Sequence, residues 1–270
     1  MDIDGIYGAK NEKPLDNLTF TGGFCSVFRN IAVVGDSLAS GEFQAELNGS
    51  VSYHDKFEYS WGQYIARLTG STVYNFSRGG MTAKEYVSSF AETQGFWDEK
   101  YFCNAYLIAL GVNDVINQNQ PIGSISDICK EDYSKNKDTF IGNYAKIVQR
   151  YKEIQPNAKF FLITIPKSYN SDKDAERLKR IENVEKAIYD IAGVFDNAYV
   201  IDLFKYAPDY NEPKFKSSFF LHGHMNPAGY YLSAIMISSY IDYIVRHNFE
   251  DFTQLGFIGT DFYDKTLERK

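Results

Sequence analysis

The chain has 270 residues, 44% of them hydrophobic and 23% charged, and 28 Lys and Arg against 35 Asp and Glu give a formal net charge of −7. That acidity argues against nucleic acid as the main partner, because phosphate binding needs a basic stripe, and no apolar run approaches the ~18–20 residues of a membrane span. Three scattered cysteines (Cys25, Cys103 and Cys129) make neither a disulfide framework nor a zinc site, and the acidic, polar opening "MDIDGIYGAKNEKPLDN" lacks the basic and apolar regions of a signal peptide, which reads as a cytoplasmic protein.

In chain order, five short apolar runs recur between turn residues: Asn30–Ser37, Ser71–Gly80, Asn104–Asp114, Ala158–Pro166 and Asn197–Phe204. Their hydrophobicity is continuous rather than alternating, which predicts strands covered on both faces, as in a parallel sheet. Between them lie helical patterns. "YSWGQYIARLTG" sets Trp61, Tyr64, Ile65 and Leu68 on one face, with Gly70 as C-cap. "TFIGNYAKIVQRYKEIQPN" puts Phe140, Tyr144, Ile147, Val148 and Tyr151 on a stripe that ends before Pro156. "DKDAERLKRIENVEKAIYDIAG" aligns Leu178, Ile181, Val184, Ile188 and Ile191, and "NPAGYYLSAIMISSYIDYIVRH" opens with Asn226 as cap and Pro227 in the first turn. Alternating strands and helices predict an α/β doubly wound fold. With no repeat or linker in view, a single domain spanning 1–270 is expected, with its core at about 30–246 and the N-terminal extension and C-terminal tail packed on it.

Ligands of open parallel sheets bind beyond the carboxyl ends of the strands. Ser37, in "VVGDSLASGE", falls at that edge. Taken alone, such a serine caps a helix or turn as readily as it serves as a nucleophile. The other strand ends add weight. The second run ends in "SRGGMT", with two glycines where a backbone N–H can approach a ligand, and the third in "GVND", which offers the Asn113 amide. N–H groups of Ser37 and Gly80 with the Asn113 amide would form a hole for the oxygen that turns negative in acyl transfer. A serine also needs a base. Of four histidines, His54 and His247 read as solvated, whereas His222 and His224 in "FLHGHMNPAGYY" return to the same edge.

The blocks "GDSLASGE", "GGMT", "GVND" and "GHMNPAGY", in this order and spacing, resemble those of the SGNH, or GDSL, hydrolases, over roughly Asn30–Arg246. The resemblance implies a flavodoxin-like, three-layer α/β/α fold around a five-stranded parallel sheet, and esterase, lipase, thioesterase or carbohydrate deacetylase activity with neither metal nor cofactor. Carried over by position, it makes Ser37 the nucleophile, His224 the base, Asn113 an oxyanion donor, and Gly80 the block-two glycine with Gly79 as the other register. The family often places Asp three residues before the histidine; here that residue is Leu221. A backbone carbonyl, that of Leu221 or a neighbour, is therefore expected to orient the imidazole in a Ser–His dyad, with Asp202 as the fallback acid. His222 is a weaker pocket candidate.

The inserts after the first and third runs, "ASGEFQAELNGSVSYHDKFEYSWGQ" and "DVINQNQPIGSISDICKEDYSKNKDT", should rim the cleft. They are polar and aromatic, which favours a short acyl chain on a polar alcohol, such as an acetylated carbohydrate. An acyl thioesterase and a non-catalytic carbohydrate-binding protein on the same fold stand as alternatives. The oligomeric state is not legible.

Overall fold

The computed structural model describes residues 6–168 and 175–267. Among them the strands are β1 (Asn30–Gly35), β2 (Glu42–Leu47), β3 (Ser50–Asp55), β4 (Thr72–Asn75), β5 (Ala105–Ala109), β6 (Lys159–Ile163), β7 (Ala198–Ile201), β8 (Phe220–Leu221) and β9 (His224–Met225). The five apolar runs become one parallel sheet ordered β4-β1-β5-β6-β7. β2 with β3, and β8 with β9, form separate antiparallel hairpins.

The continuous hydrophobicity of the runs has its expected cause. On β1, Ala32 and Val34 enter one core while Ile31 and Val33 enter the other, and β5 and β6 divide in the same way, with Tyr106, Ile108, Phe160 and Leu162 opposite Ala105, Leu107 and Phe161. Both faces of the sheet are dry, so neither face selects polar residues. The principal helices, beyond a short one at Ser37–Ser40 (α1), are α2 (Trp61–Thr69), α3 (Phe140–Ile154), α4 (Ala175–Ala192) and α5 (Pro227–His247). α3 and α4 cover the first face; α2 and α5 cover the second. The architecture is the three-layer α/β/α arrangement that the resemblance implies, on the doubly wound α/β pattern read from the sequence.

Helix ends follow the sequence closely. Ser60 caps α2 and Gly70 closes it in the left-handed region at φ 69°. Asn226 caps α5 by accepting the Gly229 N–H at 2.9 Å, with Pro227 in the first turn. The predicted helix that yields α4 was read from residue 172; residues 172–174, like the first five and last three of the chain, lie outside the described residues. In the tail, Phe252 and Ile258 are buried, but Phe257 and Phe262 are exposed.

The insert after β1 holds the main departure. Read as a rim loop, it is instead the β2–β3 hairpin, turning at Asn48 (φ 52°) and Gly49 (φ 76°). Two successive left-handed residues match the right-handed twist of the strands, and Asn-Gly is the commonest pair to supply them. That dipeptide was the available signal. Gly35 is selected by crowding. A Cβ there would meet the Ala39 side chain at 2.4 Å, so glycine is required by the close return of α1 over the strand end.

Candidate active site

In a 2-1-3-4-5 strand order the crevice opens where the connections diverge, beyond β1 and its neighbours. Here that point is the β4-β1-β5 edge. Ser37 begins α1 directly after β1; Asp36 caps that helix, its carboxylate accepting the Leu38 N–H at 3.1 Å. Gly79 and Gly80 follow β4, and Asn113 follows β5 in a wide turn at Val112–Asn117. His224 arrives from a different direction, on the β8–β9 hairpin before α5. Ser37, Gly79, Gly80, Asn113 and His224 all line one cleft of about 570 Å³, a size typical of small-molecule sites.

The candidate oxyanion donors are held from behind. Asn113 donates Nδ2–H to the Met81 carbonyl at 3.1 Å and accepts from Asn117 Nδ2 at 2.8 Å, which fixes its amide plane while leaving a second N–H. Gly80 has φ 74°, and a Cβ there would meet nothing within 4 Å, so its backbone conformation alone selects glycine. Gly79 is selected by crowding, because a Cβ would lie 1.8 Å from Glu42 Oε2. Asp114, fully buried, accepts the Ala83 N–H at 2.8 Å and ties the block-two turn to the block-three turn. Burial pushes its carboxyl up to about 6 and that of Asp36 up to about 7.

His224 requires two corrections. The Leu221 carbonyl does not orient it: the imidazole Nδ1 is buried and, among the described residues, has no hydrogen-bond partner. Leu221 and His224 face each other as a strand pair across a two-residue turn, with His222 in the left-handed region at φ 57°. Asp202 does not orient it either. That carboxylate is buried elsewhere, bound to Thr164 Oγ1, the Tyr189 hydroxyl and the Lys205 N–H. The group that meets His224 is Glu42, the last residue of the quoted "GDSLASGE" block, whose Oε1 lies 3.0 Å from Nε2. Sequence reasoning looked for an acid near His224 in the chain and so passed over one 182 residues away.

Burial lowers the His224 value below the usual imidazole range, with the Asp55 charge pulling it partly back. Burial, and then Asp55, raise Glu42. His222 does not line the cleft; it stands exposed with Nδ1 3.6 Å from Glu46 Oε2. Among the described residues no hydrogen bond joins the Ser37 hydroxyl to His224. Cys25 and Cys103 are buried, and burial raises both thiols, which leaves them unreactive.

The GDSL-like Lipase/Acylhydrolase family matches residues 33–232, from β1 through the first turns of α5. The chain belongs to that family. No curated protein matches it significantly. Among solved structures it is similar to a family two carbohydrate esterase from Clostridium thermocellum in complex with cellohexaose, at 16% identity and a TM-score of 0.55, covering 80% of this chain and 64% of that one. It is also similar to a carbohydrate esterase family 2 enzyme with a carbohydrate-binding domain from Corynascus thermopiles, at 16% identity and 0.53, covering 79% and 65%. A psychrotrophic esterase from Pseudoalteromonas sp., inhibited by monoethylphosphonate, aligns at 17% identity and 0.52, covering 80% and 98%. The chain thus spans about two-thirds of the carbohydrate esterase chains and nearly all of the third. At these identities the likeness establishes the fold, while the family match supports a hydrolase of the GDSL type. No described helix is long and apolar enough to cross a membrane.

Proposed function

We propose that this protein is a serine esterase that removes short acyl groups, with acetyl groups on a carbohydrate as the favoured substrate. The observation that carries the reading is the meeting of Ser37, Gly80, Asn113 and His224, from four separate segments, around one cleft. In the proposed mechanism His224 takes the Ser37 proton as Oγ attacks the ester carbonyl. The N–H groups of Ser37 and Gly80 and the free Asn113 N–H hold the oxyanion. The intermediate collapses to an acyl-enzyme as His224 protonates the departing alcohol, and water then reverses the roles.

A small apolar space next to the cleft supports a short acyl group. An apolar cavity of about 60 Å³ adjoins the cleft, with Leu38, Val112, Ile165, Pro166 and Tyr210 lining both. Its apolar lining favours a short acyl tail over a polar group at that position. The cleft lining also includes Tyr53 and Asn117, an aromatic edge and a polar amide that favour a hydroxylated alcohol. The test is a series of p-nitrophenyl esters, acetylated sugars and acyl-CoA, with fluorophosphonate labelling in parallel. Expected are labelling at Ser37, highest kcat/KM at two to four acyl carbons, and a preference for esters over acyl-CoA. Failure to label would favour a non-catalytic binding role, and preference for acyl-CoA a thioesterase.

Asn113→Ala should lower kcat about 10²–10³-fold while leaving KM nearly unchanged, because its second N–H meets charge that develops only in the transition state. Steady-state kinetics on p-nitrophenyl acetate measure this directly.

A further inference from the structure

A serine–histidine pair works best when one ring nitrogen is held by an acceptor, so that the other presents its lone pair to the serine. The loop before His224 provides no such acceptor: the Leu221 carbonyl is not bonded to the ring, and Asp202 is engaged elsewhere. We infer that Glu42, delivered by β2 of the hairpin that follows block one, is the residue that positions His224. This inference rests on the esterase reading of the same cleft.

The hairpin's register carries the argument. Glu42, Gln44 and Glu46 alternate along β2 and so share one face. Each meets one member of the turn that carries the histidine. Glu42 Oε1 lies 3.0 Å from His224 Nε2; Gln44 Oε1 accepts the Gly223 N–H at 2.9 Å; Glu46 lies 3.6 Å from His222 Nδ1. From β3, on that same face, the Tyr53 ring packs edge-on against the imidazole with centroids 5.6 Å apart. Three successive turn residues are thus read by three successive same-face residues of one strand, which fixes the ring's height and tilt together.

Glu42 is itself anchored. Its backbone carbonyl accepts the Tyr230 hydroxyl at 2.5 Å, and its other carboxylate oxygen fills the space a Gly79 side chain would need. The side chains of His224 and Glu42 are only 15% and 13% exposed, so water screens their contact weakly. With Nε2–H donating to Glu42, the nitrogen left to accept a proton is Nδ1, which is buried and has no partner among the described residues. The charged and titratable groups around the pair are Asp55 opposite Glu42 on β3, bound to the Ser40 hydroxyl; Tyr53 on β3; Tyr230 on α5; Asp36 at the α1 cap; and His222 with Glu46 at the hairpin turn.

The experiment compares Glu42→Ala and Glu42→Gln with the wild type by steady-state kinetics across pH, by the rate of fluorophosphonate labelling at Ser37, and by thermal unfolding. Expected for Glu42→Ala is a fall in kcat of about 10²–10⁴-fold with KM within threefold. Glu42→Gln, whose amide oxygen still accepts Nε2–H, should recover part of that loss. Removing the negative charge also makes the imidazolium less favourable, so the acid limb of kcat/KM in Glu42→Gln should move to lower pH. A merely structural role would not move that limb. Folded variants that keep kcat within threefold, exceed the wild type, or leave the limb in place would overturn the inference. Wild-type protein that fails to label would instead overturn the esterase reading, whereas equal labelling of wild type and both variants would overturn Glu42 alone.

Discussion

Ser37→Ala is expected to lower ester turnover by about 10⁶-fold and to abolish covalent labelling by a fluorophosphonate. The size of the effect follows from chemistry, because no acyl-enzyme forms without Oγ. What remains is the ~10³–10⁴-fold acceleration over water that binding and oxyanion donors supply on their own. The fold should be indifferent to the change. Asp36 caps α1 through the Leu38 N–H, and the contacts of residue 37 to Ser40 and Tyr230 are made by its backbone carbonyl, which alanine keeps. Unchanged thermal unfolding beside lost turnover would separate catalysis from stability. A Ser37→Ala protein with near-wild-type turnover would end the serine mechanism.

The second large effect belongs to His224. His224→Ala should reduce kcat by about 10⁴–10⁶-fold, because serine is a weak nucleophile at its own pKa. Labelling at Ser37 should slow in parallel rather than vanish, since the hydroxyl is still present. The wild-type pH profile carries the same information. The neutral imidazole is the base, so activity rises with pH as His224 loses its proton. Burial lowers that value, hence kcat/KM should hold to a pH below the ordinary imidazole midpoint of about 6.5 before it falls. An acid limb at or above that midpoint would show that another group limits the reaction. In His224→Ala the limb should disappear, and added imidazole, small enough for the vacated space, should restore part of the rate.

Much of the site was legible because its parts stand at strand ends. Strand ends are written in the sequence by a local contrast, where an apolar run meets glycine, serine or asparagine. "VVGDS", "SRGG" and "ALGVND" each carry that contrast, and a parallel sheet sends all three to one edge whatever its loops do. The order of the strands, β4-β1-β5-β6-β7, was not written in those runs; it came with the structure. The β2–β3 hairpin was harder to read because its residues are largely exposed and so lack a strong apolar pattern; only Asn48-Gly49 marked it.

What only the folded chain decided is which acid meets which base. The sequence by itself determined the sheet, the two dry faces, and the positions of Ser37, Gly80, Asn113 and His224 relative to strands and helices, because these follow from patterns a few residues long. The pairing of Glu42 with His224, the commitment of Asp202 to Thr164 and Tyr189, and the removal of His222 to the hairpin rim depend on contacts between segments far apart in the chain. A carboxylate's role is set by what lies within about 3 Å of it, and hydrophobic pattern places the backbone without specifying side-chain neighbours at that range.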